Sequence, residues 1–180
     1  MLKEGIILCL GGQGGVTAGR ILALACVKDG LYAQAIPHFG AERRGALVKN
    51  YFRLSDKPIR RHSPVKRGDF VVVFAEKILN LIDVKEILKE DGLVILNSKR
   101  GLNGLKCYYV NASEIALRLN LVSAGWPIVN TAMVGAIARV LNLSLDSVLS
   151  AVEDTFGGRL ADINKKAVEI AYGEVKSWSG

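Results

Sequence analysis

Cysteine is scarce in this 180-residue chain, with only Cys9, Cys26 and Cys107, each far from the others and set among apolar residues. That spacing excludes a disulfide framework and a C-x-x-C metal or redox motif, leaving buried, reduced thiols as the ordinary reading. Histidine is scarcer still: His38 and His62 have no nearby cluster of cysteines or carboxylates, so a metal centre has no support. No serine, cysteine or threonine is paired by sequence context with either histidine, so no nucleophile and base present themselves. Long hydrophobic runs are also missing. Met1-Leu2-Lys3-Glu4-Gly5 leads into a short apolar run that ends at the glycines, too short for a signal peptide or a membrane span, and a cytoplasmic protein without a membrane partner is expected. With four prolines and no repeat, low-complexity tract or linker, residues 1–180 are expected to form one domain.

What is present is aliphatic and ordered. Half of the residues are hydrophobic, ample for a core. Residues 5–10 read as a buried parallel strand that stops at Gly11-Gly12-Gln13-Gly14-Gly15. From Val16 onward Ile21, Leu22, Ala25 and Cys26 recur at helical spacing until Asp29-Gly30. Further strands are predicted over 31–36, 46–54, 70–74, 93–96 and 107–110, with a helix between the strands 70–74 and 93–96 carrying Ile78, Leu79, Ile82, Ile87 and Leu88. Asn111 with Glu114 three residues on resembles a capping box. Pro127 is read as opening a helix apolar nearly all round, with Ser144 and Asp162 as caps of the last two helices. The alternation predicts an α/β fold: a mostly parallel, Rossmann-like sheet with helices on both faces and C-terminal helices packed on the same domain.

The formal charge of +7 is concentrated, since nine of the 24 Lys and Arg lie between Arg43 and Arg67 while the only acids from 42 to 67 are Glu42 and Asp56. Such a patch suits nucleic acid, an anionic ligand, an acidic protein partner or plain solvation, and composition does not choose among them. The glycine loop follows a strand and opens a helix, where backbone N–H groups and the helix dipole can hold an anion; equally, the glycines can simply let strand and helix approach. The dinucleotide fingerprint fails at Thr17, Ala33-Gln34-Ala35 provides no ribose-binding acid, and no Walker A lysine follows. Pro37-His38-Phe39-Gly40-Ala41-Glu42-Arg43-Arg44-Gly45 places two arginines beside a carboxylate between glycines. Arginine forks suit phosphate or carboxylate, while Glu42 could tie one of them down.

Four blocks in order carry a resemblance. Leu10-Gly11-Gly12-Gln13-Gly14-Gly15-Val16, the segment from Pro37 to Gly45, Arg53-Leu54-Ser55-Asp56-Lys57-Pro58-Ile59, and Pro127-Ile128-Val129-Asn130-Thr131-Ala132-Met133-Val134-Gly135-Ala136 together resemble the gamma subunit of 2-oxoacid:ferredoxin oxidoreductases, over nearly the whole chain. Asn164 matches an asparagine that often begins the last helix in that family. Phe39 stands where a tyrosine is common and Ala46 where a second glycine is common.

The resemblance implies a subunit, inactive alone, of a complex that oxidatively decarboxylates a 2-oxoacid to acyl-coenzyme A and reduces ferredoxin. Thiamine diphosphate, magnesium and iron–sulfur clusters would sit on partner subunits, and the partners would be the alpha, beta and ferredoxin-like delta subunits, with ferredoxin reached through the complex. The implied role is to pack against the thiamine-binding subunits and contribute to the coenzyme A region, with Gly12, Gln13, Gly14, Gly15, Glu42, Arg43, Arg44 and Gly45 as the binding residues and no catalytic or metal residue. No nucleic acid partner is expected. The aliphatic segment 128–137 suggests self-association of the isolated chain. The alternative is a stand-alone Rossmann-type nucleotide-binding oxidoreductase.

Overall fold

The computed structural model describes residues 1–38 and 43–179. Among the described residues, nine strands and five α-helices follow in the order β1 (Leu2–Leu10), α1 (Gly15–Lys28), β2 (Tyr32–Pro37), β3 (Leu47–Ser55), β4 (Gly68–Val73), β5 (Leu88–Asn97), β6 (Cys107–Val110), α2 (Ala112–Arg118), β7 (Val122–Ser123), β8 (Trp126–Pro127), α3 (Asn130–Leu141), α4 (Leu145–Phe156), α5 (Gly158–Glu174) and β9 (Lys176–Trp178). Seven strands form one sheet in the order β2-β3-β1-β4-β5-β6-β9, and β7 and β8 make a separate hairpin. The centre, β1-β4-β5-β6, is parallel throughout, while β3 pairs antiparallel with both β1 and β2, and β9 antiparallel with β6. The middle strands carry unbroken apolar runs, Ile6 to Leu10, Phe70 to Val73 and Val94 to Leu96, because they are buried on both faces: Val71, Val72 and Val73 are wholly enclosed.

Side chains alternate along each strand, so β1 sends Ile7 and Cys9 into one core and Ile6, Leu8 and Leu10 into another. The first core is closed by all five α-helices. The second is closed by two 3₁₀ helices, Glu76–Asn80 and Val84–Ile87, through Ile78 and Val84, together with Val65. Helices therefore cover both faces, but unequally. The α-helix expected around Ile78 to Leu88 is replaced by these two turns. Asp83, in extended conformation, accepts a hydrogen bond from the Lys85 N–H and restarts the chain, and Leu88 already belongs to β5.

Two further helix starts differ from expectation. Pro127 belongs to β8, and α3 begins at Asn130. Asp162 lies inside α5, which begins at Gly158 behind the positive-φ residue Gly157. Asn164 therefore sits within that helix and does not open it; it is buried, donates to the Leu160 carbonyl at 2.8 Å and accepts from the Thr131 hydroxyl at 2.8 Å. Asn111 and Ser144 do cap, accepting from the N–H groups of Glu114 and Ser147. Residues 129–138 are all buried, so most of the aliphatic segment expected to drive self-association is covered within the chain. The exposed large apolar residues lie elsewhere, among them Val27, Leu81, Leu117, Trp126 and Leu160.

Candidate functional site

The chain leaves β1 toward β2 on one side of the sheet and leaves β4 toward β5 and β6 on the other. β1 and β4 are neighbours, so their carboxyl ends form a topological switch point, where open α/β sheets keep a crevice. A cavity of about 530 Å³ lies there, within the range of small-molecule sites. Its walls are the loop after β1 (Gly11, Gly12, Gln13), the residues after β4 (Phe74 to Lys77), Asn97 at the end of β5, and the β7–β8 hairpin with Trp126. Arg44 and Gly45 complete the rim.

The glycine loop is shaped by its own backbone. Gln13 folds back so that its Oε1 accepts from the Leu10 N–H at 2.8 Å, and its N–H donates to the Leu10 carbonyl at 3.0 Å. Gly14 caps α1 with φ of 76°, and a Cβ there would lie 2.5 Å from Asn130 Nδ2. A Cβ on Gly15 would meet Cys9 Sγ at 2.4 Å. Gly14 and Gly15 thus set the close approach of α1 to β1 and α3, while Gly12 and Gln13 face the cavity.

The basic loop reaches the same place. The Gly11 N–H donates to the Ala46 carbonyl at 2.8 Å, and the Gly45 N–H donates to the Gly11 carbonyl at 3.1 Å. A Cβ on Gly11 would lie 2.3 Å from the Arg43 carbonyl oxygen. The two segments singled out in sequence, 11–15 and 37–45, are therefore joined through residues 43–45; residues 39–42 lie outside the described residues. Arg43 and Arg44 are exposed, and only Arg44 lines the cavity. Neither has an ion-pair partner among the described residues; Glu42 lies outside the described residues.

Several contributors were not legible in sequence. Asn97 latches the floor: its Nδ2 donates to the Phe74 carbonyl at 2.8 Å and the Ser113 hydroxyl at 3.0 Å, and its Oδ1 accepts from the Ser113 N–H. Glu76 accepts from the Ser98 hydroxyl. Lys77 places its ammonium 5.5 Å from the centre of the exposed Trp126 ring, a cation–π distance. Their only sequence signal is position at strand ends, visible once the sheet order is known.

The thiols stand apart from this chemistry. Burial, with a contribution from the Asp29 charge, pushes Cys26 up to about 12, and burial also raises Cys107. Among the described residues no group of three or more His, Cys, Asp or Glu could hold a metal ion, and no helix is long and apolar enough to cross a membrane. Arg53, counted in the basic stretch, is wholly buried: its Nε donates to Glu4 Oε1 at 2.9 Å.

Residues 5–174 match the family model described as pyruvate ferredoxin/flavodoxin oxidoreductase. The chain is 46% identical over 169 residues to the pyruvate synthase subunit PorC of Methanothermobacter marburgensis, covering 92% of this chain and 93% of that one. It is 42% identical over 172 residues to the pyruvate/ketoisovalerate oxidoreductases common subunit gamma of Thermococcus kodakarensis, covering 90% and 91%. The crystal structure of the pyruvate oxidoreductase subunit PORC from Thermotoga maritima superimposes with a TM-score of 0.83 at 30% identity, over 99% of each chain. At the level of fold alone, the chain also matches 30% of a 2-oxoglutarate:ferredoxin oxidoreductase chain from Magnetococcus marinus, with a TM-score of 0.78 at 18% identity. The agreement in sequence, length and fold places this chain in the pyruvate ferredoxin/flavodoxin oxidoreductase family, as a gamma-type subunit of a 2-oxoacid:ferredoxin oxidoreductase.

Proposed function

We propose that the chain acts inside a thiamine-dependent complex, inactive by itself, where it packs against alpha and beta subunits and lends the switch-point cavity to the phosphate-bearing part of coenzyme A. The observation that carries this reading is the convergence of Arg44 and Gly45 with Gly12 and Gln13 on one rim. A guanidinium fork beside a glycine-lined wall suits phosphate oxygens through charge-assisted hydrogen bonds. Arg43, exposed on the same loop, adds charge without lining the cavity.

Iron–sulfur clusters do not fit this chain. Cys9 lies in β1 and Cys26 in α1, both in the helix-covered core, whereas Cys107 lies in β6 and faces the opposite core. Three thiols on two sides of a sheet cannot converge on one cluster. This supports placing the clusters on other subunits; thiamine diphosphate and magnesium are assigned with them to the alpha, beta and ferredoxin-like delta subunits as part of the proposal, with electrons reaching ferredoxin through the complex. A cytoplasmic setting accords with reduced thiols.

The test is kinetic. In the reconstituted complex, Arg44→Ala should raise the apparent KM for coenzyme A tenfold or more while that for the 2-oxoacid stays put, and adding Arg43→Ala should deepen the effect. The isolated chain should show no 2-oxoacid-dependent dye reduction. If the arginines hold a subunit interface instead, the double variant lowers complex stability and turnover with all substrates. An intact complex with unaltered coenzyme A kinetics rejects the proposed role.

A further inference from the structure

We propose that residues 57–67 form a pre-ordered cationic strap that docks against an acidic surface of another protein subunit; this rests on the reading that the chain works inside an assembly. The segment has neither helix nor strand, yet it is tied to the sheet along its inner side. Arg53 donates through Nη1 to the Arg61 carbonyl at 3.3 Å and through Nη2 to the Ser63 carbonyl, Gln34 Nε2 donates to the Ile59 carbonyl at 3.5 Å, and Val65 is buried in the second core. With three carbonyls bonded from inside, the backbone is held while the side chains project outward. Lys57, Arg60, Arg61, His62, Lys66 and Arg67 are all exposed, and no acid occurs from 57 to 67.

Arg61 is partly neutralised by Glu4 at 3.2 Å, and Arg67 Nε donates to the Glu86 carbonyl. Among the described residues, Lys57, Arg60 and Lys66 have no ion-pair partner. Clustered like charge works against the folded state, and here backbone contacts hold the cluster in place: the buried Arg53, its own charge paired with Glu4, ties down the Arg61 and Ser63 carbonyls. A loop ordered before encounter loses less freedom on binding, and unmatched surface cations speed encounter with a surface of opposite sign. Protein is favoured over nucleic acid because 57–67 contains no Phe, Tyr or Trp to stack on bases and no helix to enter a groove.

The experiment measures association of the full chain with its partner subunits at low and high ionic strength. Lys57→Glu, Arg60→Glu and Lys66→Glu combined should slow association at least about tenfold at low salt, within the range that electrostatic steering supplies. The deficit should shrink as salt shortens the screening length, and the matching Gln variant should fall in between. Lys166→Glu, on exposed α5 surface, serves as a control and should leave the rate unchanged. These side chains project into solvent, so an unchanged melting temperature verifies that the variants are folded. Equal rates for wild type and triple-Glu variant at both ionic strengths overturn the strap. So does retention of duplex DNA or single-stranded RNA that the triple variant abolishes while subunit association is unaffected. Failure of the wild type to associate with any partner overturns both this inference and the proposed function, whereas a normal wild type with an indifferent variant overturns only the strap.

Discussion

The two faces of the sheet are finished differently. On one, α1 to α5 form a continuous apolar layer in which α3 is buried from Asn130 to Ala138. On the other, two 3₁₀ turns and the irregular segment 57–67 suffice. Charge divides along the chain: residues 111–180, which include α2 to α5, hold six basic and seven acidic residues, while residues 1–110, which include α1 as well as the segment 57–67, hold 18 and 10. The helical side is closed by apolar packing within the chain, whereas the thin side depends on one buried ion pair and displays the cations.

The comparison is broken most severely at the α3–α5 contact. A Cβ on Gly135 would lie 2.3 Å from the Val168 carbonyl oxygen, so Gly135→Val should cost roughly 5 kcal/mol or more, comparable to the whole stability of a domain. Loss of a cooperative denaturation transition would verify it. On the thin side, Arg53→Met should cost roughly 3–5 kcal/mol, because Glu4 and the strap carbonyls lose their buried partner. Urea unfolding gives the magnitude, and proteolysis within 57–67 should rise alongside it. Gly14→Val, at the boundary of the two sides, should cost roughly 2–4 kcal/mol from left-handed backbone strain and the clash with Asn130.

Acid sharpens the contrast further. Burial alone would raise the Glu4 carboxyl, but hydrogen bonds and charges from Arg53 and Arg61 outweigh it and hold the group below its ordinary 4.5. A depressed carboxylate contributes stability that is complete above the unfolded value and is lost as pH falls through the lower folded value. Wild type should therefore lose stability more steeply below about pH 4.5 than Glu4→Gln, as followed by melting temperature against pH. The smallest expected change in stability belongs to the exposed arginines of the rim: Arg43→Ala with Arg44→Ala should shift it by less than about 0.5 kcal/mol.

Much of this was readable beforehand, for identifiable reasons. The parallel core announces itself through Val71 to Val73, and the caps at Asn111 and Ser144 obey local hydrogen-bonding rules that need no tertiary knowledge. The 3₁₀ pair is hidden in the sequence because Ile78, Leu79 and Ile82 keep helical spacing even though Asp83 breaks the run. Arg53 looked like one more surface cation, since sequence gives no sign that Glu4, 49 residues away, lies beside it. At the site, the glycine and arginine segments were both evident, but their union depends on β3 entering the sheet antiparallel between β1 and β2. Trp126 and Lys77 carried no motif and became visible only as neighbours at strand ends.

That insertion of β3 also governs which changes in chain length the protein can accommodate. From Leu2 opposite Ser55 to Leu10 opposite Leu47 the β1–β3 register runs without a slip, and the Gly11 to Ala46 hydrogen bond carries it one step beyond the strands. A residue added within either strand would turn every later side chain to the opposite face and separate the glycine wall from Arg44. Insertions and deletions accumulating in descendants of this chain should therefore avoid both strands and gather in surface connections such as the turn near Gly104, where an added Cβ would meet nothing within 4 Å.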